Sequence, residues 1–202
     1  MWFIWALAAS FCAAALAESN RIFRLDAQLL NAWRSTFGAI LIAIAIPYME
    51  WDQSRNFYIV AVLDGVVTAV GMIMFFYLAA RKTGRVSSMI LPMAAVGAYL
   101  TWWMIAPNDR PILNDHPGKV LTATLSAVMV FLALQKVRDN DSSWGSFINV
   151  LPVGIAFGIV DALTKAVMGH DYNIYTPALT YAFVALVVCS VVAWLATIPV
   201  PA

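Results

Sequence analysis

The chain has 202 residues, of which 62% are hydrophobic and 11% are charged, and its formal net charge at pH 7 is +1. Soluble domains are about 45–50% apolar and about 25% charged, so this apolar excess calls for lipid as the solvent. The charge is near zero and no long basic run is present, which argues against a nucleic-acid partner. The composition therefore predicts an integral membrane protein whose surroundings are the lipid bilayer.

Seven apolar segments are candidates for membrane-spanning helices. An α-helix rises about 1.5 Å per residue, so about 20 residues cross a hydrocarbon core of about 30 Å. The connections are too short to hold a globular domain. We therefore expect an all-α, polytopic transmembrane bundle of about seven helices. In chain order, the expected spans are Trp2–Ala17, Leu29–Met49, Phe57–Ala80, Val86–Pro107, Val120–Gln135, Phe147–Met168 and Pro177–Pro201.

The first segment ends in Ala15-Leu16-Ala17, which is similar to a signal-peptidase site. No basic region precedes this segment, and Trp2 and Trp5 are typical of residues at a membrane interface. We therefore expect the first helix to be retained.

Arg34 interrupts the second segment, and three interpretations of it stay open. Its charge could neutralise an anionic substrate, or it could form an ion pair with Asp64 of the third segment. Alternatively, its side chain snorkels to the headgroups from near the helix end.

Asp64 is the one charge in the third segment. An acid at that depth costs roughly 2.5–3.5 kcal/mol on insertion scales, so it should face protein or a watery cavity. Thr68 follows at helical spacing and shares its face. We expect Asp64 and Thr68 to contact a solute, with Asp64 exchanging a proton during transport. The alternative is a structural aspartate that is paired with an arginine or with free backbone groups.

The fourth segment places Ser88, Tyr99 and Trp103 on roughly one helix face. Hydroxyl and aromatic groups together suit an amphipathic or amino-acid-like solute, so these three residues join the candidate binding site. Packing in a core is the alternative explanation.

The sixth segment contains Asp161 and Lys165, whose i, i+4 spacing predicts an ion pair on one helix. The pair is either structural or a coupling element that a charged substrate opens. Gly154 and Gly158 form a GxxxG pair in the same segment, and Gly97 lies among alanines in the fourth. Small residues at this spacing predict close helix packing in lipid.

No motif points to a cofactor, a metal or catalysis. Cys12 and Cys189 lie in apolar segments, and His116 and His170 lie in loops without a second ligand at metal spacing. Phosphate-binding loops, nucleophile elbows and HExxH sequences are absent from the chain. We therefore expect no enzymatic activity, no cofactor and no metal site.

Two stretches resemble a known family. The sequence LLNAWR over Leu29–Arg34 is similar to the second helix of EamA-type members of the drug/metabolite transporter superfamily, where an arginine follows a leucine- and alanine-rich entry. The stretch Tyr77–Pro92 resembles that family's junction between its third and fourth helices. The resemblance covers roughly residues 1–135 and implies two five-helix repeats of opposite orientation.

The resemblance implies a division into a first five-helix repeat at 1–135 and the first two helices of a second, truncated repeat at 147–202. The chain is then either a fragment of a ten-helix protein or a seven-helix member. The second repeat lacks an arginine where Arg34 would map, because Tyr181-Ala182-Phe183 occupies that place.

The function that this sequence favours is secondary transport of a small metabolite or drug-like solute across a bacterial-type inner membrane. Alternating access around a midplane cavity would be the mechanism. A homodimer could complete the cavity if seven helices are the whole protein. The alternatives are a non-catalytic membrane scaffold or assembly protein, and an intramembrane lipid-modifying enzyme or protease.

Overall fold

The computed structural model describes residues 2–23, 25–51, 54–81, 90–105, 144–168 and 175–198, with positions 118, 121, 125, 128, 129 and 132. Over these ranges the chain is almost entirely helical and has no strand, which confirms the all-α class. The helices are α1 (Trp2–Phe23), α2 (Ala27–Ala43), α3 (Arg55–Arg81), α4 (Ile90–Ile105), α5 (Trp144–Met168) and α6 (Tyr175–Thr197).

Three of these helices contain spans long and apolar enough to cross a membrane, namely Arg55–Ala80, Val150–Met168 and Pro177–Thr197. A shorter apolar stretch, Met93–Ile105, lies in α4. These helices are consistent with an integral membrane protein. The predicted fifth span, Val120–Gln135, falls mostly outside the described residues, so a count of seven helices stays a prediction.

The boundaries of α1 and α2 differ from the predicted spans. α1 continues past Ala17 to Phe23. α2 begins after Asp26, whose side chain caps it by accepting the backbone N–H of Leu29 at 2.9 Å. It ends at Ala43 rather than Met49. A short 3₁₀ helix, Ile46–Tyr48, follows, and Pro47 within it has no N–H with which to continue the α-helical hydrogen bonds.

α3 is the central helix and packs against α1, α2, α5 and α6. Apolar clusters surround its two ends. The cluster at the carboxyl end joins α3 to α4 and α5, and it contains Phe75, Phe76, Leu78, Ala79, Ile90 and Val150. The cluster at the amino end joins α3 to α6, and it contains Phe57, Val60, Ala61, Tyr181 and Ala185. Asp64 and Thr68, described below, lie on α3 between these clusters.

α4 and α5 pack through small residues. A Cβ built on Gly158 would overlap the Ala94 carbonyl oxygen and the Ala98 amide nitrogen, and it would lie 2.7 Å from the carbonyl carbon of Gly97. The predicted packing surface of Gly154, Gly158 and Gly97 is therefore confirmed. Its effect is to bring the two helix backbones into contact.

The direction of each helix relative to α3 follows from the contacts. Along α3, Phe57 meets Tyr181 and Gly65 meets Ala185, so α3 and α6 are parallel. Near the amino end of α3, Phe57 belongs to a cluster that includes Met168 of α5, and further along α3, Gly71 meets Phe157. Residue numbers therefore fall along α5 as they rise along α3, so the two helices are antiparallel.

Candidate functional site

Asp64 lies on α3 with Thr68 one turn further along. The Thr68 hydroxyl donates a hydrogen bond of 2.8 Å to Asp64 Oδ1, so the two residues share a helix face as the spacing predicts. Asp64 is half-buried, and it falls in the middle third of the span Arg55–Ala80. The carboxylate is therefore held by protein at membrane depth rather than at a helix end.

A second acid, Asp161 on α5, interacts electrostatically with Asp64. The two carboxylates are close enough for their charges to interact, although they are far apart in sequence. Asp161 is more exposed than Asp64 and also lies in the middle third of its span, Val150–Met168. The antiparallel packing of α3 and α5 therefore brings together two acids that the sequence presents separately.

Tyr181 on α6 completes a polar cluster on three helices. Its side chain is 4% exposed, and its hydroxyl interacts with the Asp64 carboxylate. The same hydroxyl shares a hydrogen bond of 2.5 Å with Thr164 of α5. The Tyr181 ring packs edge-on against Phe57, with 5.5 Å between ring centroids, which fixes the side chain. We call Asp64, Thr68, Asp161, Thr164 and Tyr181 the acidic cluster.

Tyr181 and Thr164 were not among the residues that the sequence singled out. Thr164 lies three residues after Asp161, so its place on the same face of α5 could have been noticed. Tyr181 gives no such signal, because tyrosine is common in apolar membrane segments. Only the parallel packing of α6 on α3 places its hydroxyl at Asp64.

Lys165 does not form the predicted ion pair with Asp161. Its Nζ lies 3.9 Å from the centroid of the Trp102 ring of α4, a cation–π geometry. Of the basic residues that the structure describes, none is ion-paired with Asp64 or Asp161. The coupling role predicted for an Asp161–Lys165 pair therefore has no geometric basis here, and the charge with which Asp161 interacts is that of Asp64.

Arg34 lies apart from the acidic cluster. Its Nε and Nη2 donate to Asn31 Oδ1 at 3.4 and 3.3 Å, and its guanidinium lies against the Cys189 thiol. Asn31 is fully buried, and its Nδ2 donates to the Ala69 carbonyl oxygen at 3.1 Å. The interpretation of Arg34 as an ion-pair partner of Asp64 is therefore wrong for this structure.

Tyr99 and Trp103 lie on the face of α4 opposite to α5, and they are 52% and 48% exposed. The face of α4 that packs on α5 carries Ala94 and Gly97 instead. These two aromatic residues are therefore not brought to the acidic cluster. Ser88, predicted to join them, lies outside the described residues, as do His116 and His170.

An apolar groove lies between α3 and α5, and on α3 its lining begins within one helical turn of Asp64. Its volume is about 320 Å³, and every described residue that lines it is apolar. Val67 and Gly71 of this lining are three residues from Asp64 and Thr68, respectively. The groove could hold an apolar part of a small molecule beside the carboxylates. The lining residues are Val66, Val67, Val70, Gly71, Pro152, Val153 and Ala156.

Comparison with protein-family models, with curated proteins and with solved structures finds no significant match to this chain. The resemblance to EamA-type transporters therefore stays a prediction. Within the described part of the chain, no three residues of the His, Cys, Asp and Glu types are grouped so as to hold a metal ion.

Proposed function

We propose that this protein is a secondary transporter that moves a small metabolite or drug-like solute across a bacterial inner membrane by alternating access. In this mechanism Asp64 binds and releases a proton. The observation that carries the proposal is the acidic cluster, in which Asp64 and Asp161 interact and each lies in the middle third of its apolar span.

The physical argument begins with the cost of the two carboxylates. Acids within transmembrane segments are rare and commonly mark proton or substrate pathways. The two acids repel one another and have no basic partner among the described residues. Binding of a proton or another cation between them lowers this repulsion. A static role would be served better by an ion pair or by apolar side chains.

The arrangement of the cluster suits a transport cycle. Its members come from α3, α5 and α6, so a shift of one helix would change the contacts of Asp64. Protonation of Asp64 would in turn bias the packing of these helices, which is the reciprocal coupling that transport requires. The apolar groove between α3 and α5 supplies a volume for the solute within one helical turn of Asp64 along α3.

The finer architecture belongs to the same proposal. We infer seven helices, with a first repeat over 1–135 and two helices of a second repeat over 147–202, as the EamA-type resemblance implies. α2 and α6 would then be counterparts, and an inverted repeat requires that they run in opposite directions. Gly38 meets Leu186 and Thr36 meets Ser190, which is the antiparallel order. A homodimer would complete the cavity of a seven-helix protein.

The substitution Asp64→Asn tests the function. Asparagine keeps an acceptor for Thr68 but cannot release a proton, so insertion should be normal while proton-coupled flux is lost. The assay uses proteoliposomes loaded with a pH-sensitive dye and challenged with a panel of amino acids, organic acids and amines. Asp26→Asn, at the exposed cap of α2, is the matched control and should behave as the wild type.

Each outcome of this assay has a distinct meaning. If the wild type couples proton movement to at least one solute and Asp64→Asn does not, the proposal is supported. Unchanged coupling in Asp64→Asn would show that Asp64 is not the proton carrier. If no solute moves protons, and Asp64→Asn instead lowers abundance or assembly in the membrane, the scaffold alternative is favoured.

A further inference from the structure

The Arg34 guanidinium lies near the middle of the bundle. Asn31, which accepts from Nε and Nη2 of Arg34, is bonded to the carbonyl of Ala69. Ala69 is in the middle third of the span Arg55–Ala80, and Cys189 is in the middle third of Pro177–Thr197. Snorkelling requires a position near a helix end, so this depth argues against that interpretation.

The partners of Arg34 do not neutralise it. An arginine side chain keeps its charge under all ordinary conditions, and Asn31 contributes a neutral amide. No carboxylate in the described ranges forms an ion pair with Arg34. A cation at this depth without a counter-charge is costly, and such residues are usually part of a functional site.

The guanidinium is oriented and keeps donors that Asn31 does not engage. The Asn31 amide is fixed because its Nδ2 donates to Ala69, which turns Oδ1 towards Arg34. Asn31 engages two of the five guanidinium N–H donors through Nε and Nη2. Asn31 leaves the other N–H donors unengaged; the guanidinium also lies against the Cys189 thiol, and the residue as a whole is half-buried.

We propose that Arg34, oriented by Asn31, binds the carboxylate or phosphate group of an anion within the membrane domain. The planar fork of donors on a guanidinium matches the oxygen atoms of these groups, and the bound anion supplies the missing counter-charge. The inference that this anion is the transported solute rests on the proposed function. The binding itself does not, because it is measured at equilibrium.

The experiment measures thermal unfolding of the full chain in a non-ionic detergent, at constant ionic strength. The probes are benzoate, inorganic phosphate and the neutral benzamide. A ligand that binds the folded state raises the melting temperature in a saturable way. We expect benzoate or phosphate to raise it and benzamide to leave it unchanged.

Two substitutions of Arg34 assign the effect. Arg34→Gln should abolish the anion-dependent rise without lowering the melting temperature in the absence of anion, since it removes an unneutralised charge. Arg34→Lys keeps the charge but loses the planar fork, so the apparent affinity should be weaker by about ten-fold. Arg55→Gln, at the exposed start of α3, is the matched control and should respond as the wild type.

The proposal is overturned if Arg34→Gln responds to the anions as the wild type does, or if no anion raises the wild-type melting temperature. It is also overturned if Arg34→Gln fails to fold while Arg34→Lys responds with full affinity, because the guanidinium would then have no special role in binding.

A lipid arm identifies the source of the anionic group. The protein is reconstituted in phosphatidylcholine with or without phosphatidylglycerol. If phosphatidylglycerol raises the melting temperature through Arg34, the site binds a lipid headgroup. If only the free anions do so, it binds a solute. The two proposals can fail separately. If Asp64→Asn transports normally but anions still raise the melting temperature through Arg34, the proposed proton carrier is wrong and the anion site is supported.

Discussion

At the residue scale, the buried hydroxyl of Tyr181 links all three helices of the acidic cluster. It shares a hydrogen bond with the Thr164 hydroxyl, interacts with Asp64 and lies 3.5 Å from the Val60 carbonyl oxygen. A hydroxyl in a largely apolar surrounding is stabilised only when such partners are present. Its position therefore follows from the packing of α6 against α3 and α5, and the Asp64 carboxylate depends on it.

Tyr181→Phe removes this hydroxyl while keeping the ring against Phe57. We expect the free energy of unfolding to fall by about 0.6–1 kcal/mol, a typical value for one hydrogen bond between membrane helices. We also expect proton-coupled flux to fall, because Asp64 loses a partner that positions it. The measurements are detergent-based unfolding and the proteoliposome assay.

Tyr58→Phe is the control for this prediction. The Tyr58 hydroxyl donates to the carbonyl of Trp51, away from the acidic cluster, so its loss should cost similar stability without changing flux. Equal flux in Tyr181→Phe and the wild type would contradict a positioning role for Tyr181.

At the element scale, small residues decide how closely α4 and α5 approach. A Cβ built on Gly154 would lie 3.1 Å from the Ile90 carbonyl oxygen. Gly158 lies directly against the backbone of Ala94 and Ala98. Little hydrophobic force drives helices together in lipid, so this fit of surfaces is a main source of their association. The crossing also carries Trp102 to Lys165, beside the acidic cluster.

Gly158→Ala should therefore separate α4 from α5. The added methyl group meets backbone atoms that cannot rotate away, and we expect a loss of stability of about 1–3 kcal/mol, typical of overpacking. Gly38→Ala is the matched control, because its methyl would meet the flexible side chain of Leu186 at 3.3 Å. Unfolding titrations of the two variants check this, and an equal effect of both would contradict the backbone contact.

The sequence could predict these elements better than their partners. Segments 57–80 and 147–168 became α3 and α5 with nearly the expected bounds, because a helix that crosses lipid must be apolar along its length. The glycine spacing likewise predicted a packing surface. The end of α2 before Pro47 was missed because the apolar run continues past it.

The candidate site could be predicted only in part. Asp64 and Thr68 share one helix, so their spacing was enough to place them together. The approach of Asp161 depends on which face of α5 meets α3, and no local pattern records this. Lys165 was expected to pair with Asp161 because the two residues are one turn apart on the same helix. Its actual partner, Trp102, lies on α4, and the spacing within α5 cannot reveal a neighbour from another helix.

At the scale of the whole molecule, the contact between α2 and α6 holds the first part of the chain against the last. Thr36 Oγ1 lies 2.6 Å from Ser190 Oγ, and the Trp194 indole N–H donates to the same threonine at 3.0 Å. Asn31 approaches Cys189 on the same side of this contact. The Arg34 site depends on this contact, because Asn31 and Arg34 of α2 meet Cys189 of α6 across it.

A cysteine pair tests that contact directly. The native cysteines are first removed by Cys12→Ser and Cys189→Ser. Thr36→Cys and Ser190→Cys then place two thiols where the hydroxyl oxygens lie within hydrogen-bonding distance. A mild oxidant should therefore form a disulfide within one chain. Counting free thiols by mass after alkylation, in native membranes, measures the reaction. The control pairs Phe37→Cys with Ser190→Cys, because Phe37 is 57% exposed on another face of α2. Rapid closure of the first pair and not of the second supports this contact between α2 and α6, whereas equal closure, or none, would contradict the helix packing that brings Cys189 to Asn31 and Arg34.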